Sequence, residues 1–234
     1  VGEDWILKDV SFKVKAKENV AFVGATGSGK TTILSLIVRN YDIQKGQIFI
    51  DGLDIKKYQI ASLRKHIGQM LQDVFLFSGT VESNITLRSE EITSDIVKEA
   101  CRFVNADKVI DKLPNKYNEI VRERGKNFSS GERQLISFAR VVSHKPNIMI
   151  LDEATSAMDN LTEENVMKSV MQKMKDKTVI AIAHRLNSIA GFDRIILFRE
   201  GKIVGQGTFE ELLHTDSYFK ELYNANVQLS LIHI

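Results

Sequence analysis

Residues 24–31 read GATGSGKT, two glycines, a lysine and a hydroxyl residue at the spacing of a phosphate-binding loop. The residue types carry the chemistry. Glycines let successive backbone N–H groups curl around the β- and γ-phosphates without Cβ clashes. Lys30 brings a mobile cation to the same oxygens, and Thr31 can offer its hydroxyl to Mg²⁺. The candidate contacts are Gly24, Ala25, Thr26, Gly27, Ser28, Gly29, Lys30, Thr31 and Thr32. The plain alternative is a glycine turn with a solvent-facing lysine.

Two further stretches could complete such a site. NIMILDE, 147–153, is an apolar run ending in two acids, where parallel-sheet sites lie. Asp152 would hold the metal through water, and Glu153 beside it could orient and deprotonate an attacking water. The alternative is a pair of acids capping a helix start. FSSGERQ, 128–134, is a small-polar step running into an apolar-patterned helix. The first amides of a helix are unpaired and its dipole end is positive, so this step reads as a second phosphate seat, yet it has no lysine.

These stretches need elements to hold them. Short β-branched or apolar runs alternate with helical patterns, as in an α/β domain with parallel strands. NVAFVG (19–24) predicts a strand and turn, and TTILSLIVR (31–39) a helix. GQIFIDG (46–52) predicts a strand closing in an Asp-Gly turn, and TVIAIAH (178–184) a strand ending in histidine. RIILFREGKIVGQG (194–207) predicts a hairpin. Between 80 and 144 the pattern is mainly helical, with SDIVKEACRFV, ADKVIDKL and SGERQLISFARVV, as in an insertion between strands. Met167, Met171 and Met174 with Val170 fall at helical spacing and predict a core-facing stripe.

Composition excludes several classes. The chain has 32 Lys and Arg against 30 Asp and Glu over 234 residues, which leaves no basic footprint for nucleic acid and makes any phosphate recognition local. The one cysteine, Cys101, has no partner for a disulfide and reads as a packing residue in a reducing setting. No apolar run reaches the roughly 18 residues of a membrane span. The start reads as the inside of a strand, and hence as part of a longer polypeptide. VQLSLIHI at the other end departs from the helical pattern, so 229–234 reads as a non-native tail.

Taken together, GATGSGKT, LQD at 71–73, FSSGE at 128–132, ILDEATSAMD at 150–159 and AHR at 183–185 resemble, in order and spacing, the nucleotide-binding domain of ATP-binding cassette (ABC) transporters. The resemblance covers about residues 5–224. It implies a P-loop ATPase fold: a mainly parallel core sheet, an antiparallel β subdomain and an inserted α-helical subdomain. The domain would run over 1–228, with a RecA-like core at about 1–79 and 145–228 and the helical subdomain at about 80–144. It also implies roles: Gln72 reaching Mg²⁺ and the attacking water, His184 contacting the γ-phosphate, Asp159 communicating between protomers. The metal set would be Thr31, Gln72 and Asp152, and the catalytic set Glu153, His184 and Gln72. A local hydrogen-bonding role is the alternative for His184; His66, His144, His214 and His233 match nothing and read as surface residues.

In this family two domains face each other head to tail, so Ser129, Ser130, Gly131 and Glu132 would complete the ATP site of a second copy or a different subunit. Ser130 and Glu132 depart from the usual serine-glycine-glycine-glutamine. A positive φ at 130 would make serine costly, and a carboxylate is repelled by a triphosphate, which points to a heterodimer with one weaker site. LFSGTVESNI at 76–85 and RERG at 122–125 resemble exporters, with a transmembrane domain preceding residue 1 and this domain on the cytoplasmic side of the inner membrane. The family's adenine-stacking aromatic would fall upstream of Val1, leaving Trp5 a core-packing role. The implied function is ATP binding and hydrolysis powering export. A mechanical clamp on ribosome or DNA and a non-hydrolysing nucleotide sensor are the alternatives.

Overall fold

The structure, a computed structural model, describes residues 5–71, 73–152, 167, 170, 172, 174–183 and 185–232, apart from the side chains of 227 and 229–232. Two compact units form: Val1–Arg64 with Lys177–Ile234, and Lys65–Asp176.

The first unit begins with β1 (Asn19–Val23), whose Val20, Ala21, Phe22 and Val23 are all buried. A strand covered on both faces needs no alternation of polar and apolar residues, so NVAFV is apolar almost throughout. Six residues later α1 (Lys30–Ile37) starts and buries Ile33, Leu34 and Ile37 along one face. Next, β2 (Phe49–Ile50) and β3 (Leu53–Asp54) pair antiparallel across Asp51 and Gly52, both with positive φ, the two-residue turn that suits strand twist. The strand expected over 46–52 is thus confined to two residues. The short α2 (Ile60–Lys65) closes this half of the chain.

In the second unit β4 (Ile67–Met70) runs parallel to β7 (Ile148–Asp152), Met70 opposite Leu151. Between them lie β5 (Gly79–Thr80), α3 (Val81–Thr86), α4 (Ser94–Phe103), α5 (Asp107–Ile110), β6 (Ile120–Val121) and α6 (Ser130–Ser143). Helices α3 and α4 both pack on α6, which buries Leu135, Ile136, Phe138 and Ala139. The helix expected over ADKVIDKL shrinks to α5 and then tightens, with Leu113 N–H on the Ile110 carbonyl at 3.0 Å. Pro114 follows, and the residue before a proline is pushed away from helix.

The chain returns to the first unit with β8 (Thr178–Ile182), β9 (Arg194–Arg199) and β10 (Lys202–Gly207). β1 pairs in parallel with β8 on one side and β9 on the other, and β10 runs antiparallel to β9 through a turn at Glu200 and Gly201. The α/β expectation therefore holds, and both ends of the 194–207 hairpin fall where the sequence puts them. Two helices follow, Phe209–Thr215 and Ser217–Ile232. The second carries the backbone through VQLSLI, so the helical pattern expected to stop there continues. Among the described residues no helix is long and apolar enough to cross a membrane.

Candidate functional site

The loop between β1 and α1 is built around its lysine. Gly24 has φ 155°, and a Cβ there would stand 2.1 Å from the Phe198 carbonyl oxygen. Gly29, with φ 101°, caps α1, and a Cβ would stand 2.6 Å from Leu7 Cδ2. Gly24 therefore needs glycine for lack of room as well as for conformation, and Gly29 for its positive φ. Lys30 is buried, at 9% exposure, and donates from Nζ to the Gly24 carbonyl at 2.7 Å, the Ala25 carbonyl at 2.9 Å and Ser28 Oγ at 3.3 Å. The solvent-facing lysine is thereby ruled out. Ala25, Thr26 and Gly27 are exposed, Ser28 is buried, and Thr31 and Thr32 open the helix. The amides of Gly27, Gly29, Thr31 and Thr32 meet no acceptor among the described residues. Open amides beside a held cation are the chemistry of an anion seat.

Asp152 is the last residue of β7 and is buried, at 7% exposure. It belongs to the second unit and Thr31 to the first. Both offer hard oxygen, the donor type that suits Mg²⁺. Glu153, Gln72, Asp159 and His184 lie outside the described residues. Among the described residues no group of three or more His, Cys, Asp or Glu side chains could hold a metal ion.

The 128–132 stretch sits at the start of α6. Ser129 is the N-cap: its Oγ accepts the Glu132 N–H at 3.2 Å, while Glu132 Oε2 accepts the Ser129 N–H at 2.8 Å. This reciprocal capping box satisfies two amides that the helix geometry orphans. Ser130 and Gly131 supply the next two amides, which meet no acceptor among the described residues. Ser130 is the first residue of α6 and has no positive φ, so the conformational penalty expected for serine there does not arise. Its neighbour Glu132 directs its carboxylate back onto the N-cap.

The exporter-like stretch 76–85 meets the residues just before the other, 122–125, since Gly79 and Thr80 of β5 pair with Val121 and Ile120 of β6. Sequence reasoning missed the residues that hold the first of them. Asn84, 1% exposed, accepts the Phe77 N–H at 2.8 Å and donates to the Phe77 carbonyl at 2.8 Å. Arg140 on α6 donates to the Asn84 carbonyl at 2.7 Å, Asn84 Oδ1 at 3.2 Å and the Phe75 carbonyl at 3.1 Å. Burial pulls the Arg140 guanidinium below its ordinary pKa. An arginine among the apolar residues of the helix's second half, LISFARVV, gave the only sequence signal. Phe75 and Phe77 stay exposed, packed edge to face at 5.0 Å.

Several residues fall outside any site. Cys101 is fully buried, and desolvation pushes its thiol up to about 12 against a lowering hydrogen bond from Tyr117. Met167, Val170 and Met174 are buried as expected, Met171 lying outside the described residues. His66, His144 and His214 are exposed, and His233 lies outside the described residues. Trp5 departs from the core role expected of it. Its ring is only half-buried, and Lys45 Nζ lies 4.6 Å from its centre, a cation–π contact at the surface.

Comparison with known proteins matches this arrangement. The family described as "ABC transporter" matches residues 7–156. A Streptococcus pneumoniae protein named ABC transporter ATP-binding protein exp8 is 43% identical over 223 residues, covering 95% of this chain and 38% of that protein. The Bacillus subtilis multidrug resistance ABC transporter ATP-binding/permease protein YheH is 45% identical over 222 residues, covering 95% of this chain and 33% of that protein. Among solved structures, a bacterial Atm1-family ABC exporter with ATP bound superposes with a TM-score of 0.91 at 36% identity, over 95% of this chain and 39% of that one. The chain thus spans between a third and two fifths of the length of these relatives. A buried lysine in a loop with open amides, a self-capped serine-glycine helix start and a matching family profile lead to one conclusion: this chain belongs to the ABC transporter family.

Proposed function

We propose that this chain is the ATP-hydrolysing motor domain of an ABC exporter. The observation that carries the proposal is Lys30 Nζ, 2.7 and 2.9 Å from two loop carbonyls, in a loop and helix start where the amides of Gly27, Gly29, Thr31 and Thr32 meet no acceptor among the described residues. Those groups bind and orient a triphosphate: the amides supply partial positive charge, and Lys30 neutralises oxygens at the transferred end. Residues 24–32 form the ATP seat, with Thr31, Gln72 and Asp152 as the oxygen ligands that would hold Mg²⁺. When bound, the ion supplies charge neutralisation between the phosphates. Glu153 takes the proton of the attacking water, Gln72 orients that water, and His184 contacts the phosphate that leaves. The limits of 1–79 with 145–228 for the ATPase core, and 80–144 for the helical subdomain, belong to the same proposal.

Ser129, Ser130, Gly131 and Glu132 serve a second nucleotide-binding domain facing this one head to tail, with Asp159 between the protomers. The free amides of Ser130 and Gly131 support this reading, because one chain then carries two separate anion seats. A transmembrane domain, N-terminal in the same polypeptide and in the cell membrane, docks on the face that exposes Phe75 and Phe77. ATPase measurements on the 234-residue chain test the enzyme reading. Glu153→Gln should bind ATP and turn over at less than about a hundredth of the wild-type rate. Equal turnover by the two proteins would remove Glu153 from the chemistry.

A further inference from the structure

The phosphate loop is tied to the helix Ser217–Ile232 by one hydroxyl group. The Ala25 N–H donates to Tyr218 Oη at 3.1 Å, and Tyr218 Oη donates to the Phe198 carbonyl at 3.4 Å. The peptide plane that carries the Ala25 N–H carries the Gly24 carbonyl at its other end, and that oxygen accepts Lys30 Nζ at 2.7 Å. One peptide is therefore gripped from both sides, by the lysine and by the tyrosine. The tyrosine ring is itself held, with the Arg199 guanidinium 5.1 Å from its centre. Phe198 is also the residue whose carbonyl leaves no room for a Cβ at Gly24. All of these groups belong to the first unit.

We propose that Tyr218 is a positioning residue for the triphosphate: it fixes the Gly24–Ala25 peptide and so sets where Lys30 Nζ waits, without touching the nucleotide. The proposal rests on the reading of 24–32 as the ATP seat. Without the hydroxyl, the Ala25 N–H and the Phe198 carbonyl lose their shared partner, and the peptide is held from the Lys30 side alone. A peptide held from one side samples more orientations, and it must be reordered when the anion arrives. An element far along the chain thus tunes affinity for the phosphates and leaves the base and the chemical step alone.

The test uses Tyr218→Phe, which keeps the ring and its Arg199 contact, in the full 234-residue chain, titrated with ATP and with inorganic tripolyphosphate. The expected result is a Kd about fivefold weaker for both ligands, the loss of one hydrogen bond, with kcat at saturating ATP changed less than about twofold. An unchanged Kd for either ligand, or a fall in kcat at constant Kd, would overturn the proposal. Wild-type protein and Lys30→Ala separate this failure from that of the underlying reading. Wild-type protein that binds neither ligand, or Lys30→Ala that binds as tightly as wild type, would overturn the ATP seat and the proposal with it. Wild-type binding lost in Lys30→Ala but untouched in Tyr218→Phe would overturn the proposal alone. Should the variant fail to fold, amide exchange in the wild type decides. The Ala25 amide should exchange at least about tenfold slower than that of its exposed neighbour Gly27. Equal exchange at the two positions would overturn the proposal.

Discussion

The capping box at the start of α6 joins the stability of the second unit to its anion seat, and its removal can be sized. Ser129→Ala deletes the oxygen that accepts the Glu132 N–H at 3.2 Å, which costs about 1 kcal/mol at an N-cap. Glu132→Ala deletes the carboxylate on the Ser129 N–H at 2.8 Å and a negative charge in the first turn, again about 1 kcal/mol. The two contacts form one reciprocal unit, so the double variant should lose about 0.5 kcal/mol less than the sum of the singles. Glu132→Gln keeps an acceptor oxygen and should lose only the charge component, about 0.3–1 kcal/mol. In a chain of this size 1 kcal/mol lowers Tm by about 2–4 °C. Urea unfolding followed by helical circular dichroism, with a cycle over wild type, the two singles and the double, reads these terms. Glu132→Ala indistinguishable from wild type, or strict additivity in the double variant, would refute the reciprocal cap.

Other consequences follow from the same geometry. Gly24→Ala drives a Cβ to 2.1 Å from the Phe198 carbonyl; it should abolish measurable ATP binding by calorimetry and destabilise the first unit by about 3 kcal/mol or more. Arg140→Met leaves the Asn84 and Phe75 carbonyls without their donor and should cost about 2–4 kcal/mol in chemical denaturation, with faster amide exchange around Phe77. The Cys101 thiol, pushed up to about 12 by burial, should resist alkylation at pH 8 until the chain is unfolded. Its linkage has a definite sign. The unfolded thiol ionises near its ordinary value while the folded one stays protonated, so this group lowers stability as pH rises through the interval from about 9 to 12. Cys101→Ser melts compared at pH 8 and pH 10.5 should show that slope reduced.

Much of this architecture is legible in the chain because buried parallel strands are nearly uniform apolar runs. NVAFV, NIMILD, TVIAI and RIILFR each announce their strand, and the glycines, lysine and threonine after the first announce its loop. The pairing of β5 with β6 is not legible, since two-residue strands with some forty residues between them carry no periodicity. Arg140 and Asn84 escape for a similar reason. Their role is to satisfy backbone carbonyls, which have no sequence signature. Trp5 shows the limit of reasoning from hydrophobicity alone, because a large ring can be covered by a lysine stem instead of a core. The cost of serine at 130 is conditional on a positive φ there, and the N-cap Ser129 before it already starts a helix at 130.

The central claim is that one chain binds ATP on 24–32 and completes a second chain's site with 129–132. Sedimentation velocity of Glu153→Gln with saturating ATP tests it most directly, in parallel with the same protein carrying Ser129→Arg as well. The account predicts a dimer with ATP, a monomer with ADP, and a monomer for the Ser129→Arg form even though calorimetry still detects ATP on its loop. A Ser129→Arg form that dimerises with ATP as readily as its parent would contradict it.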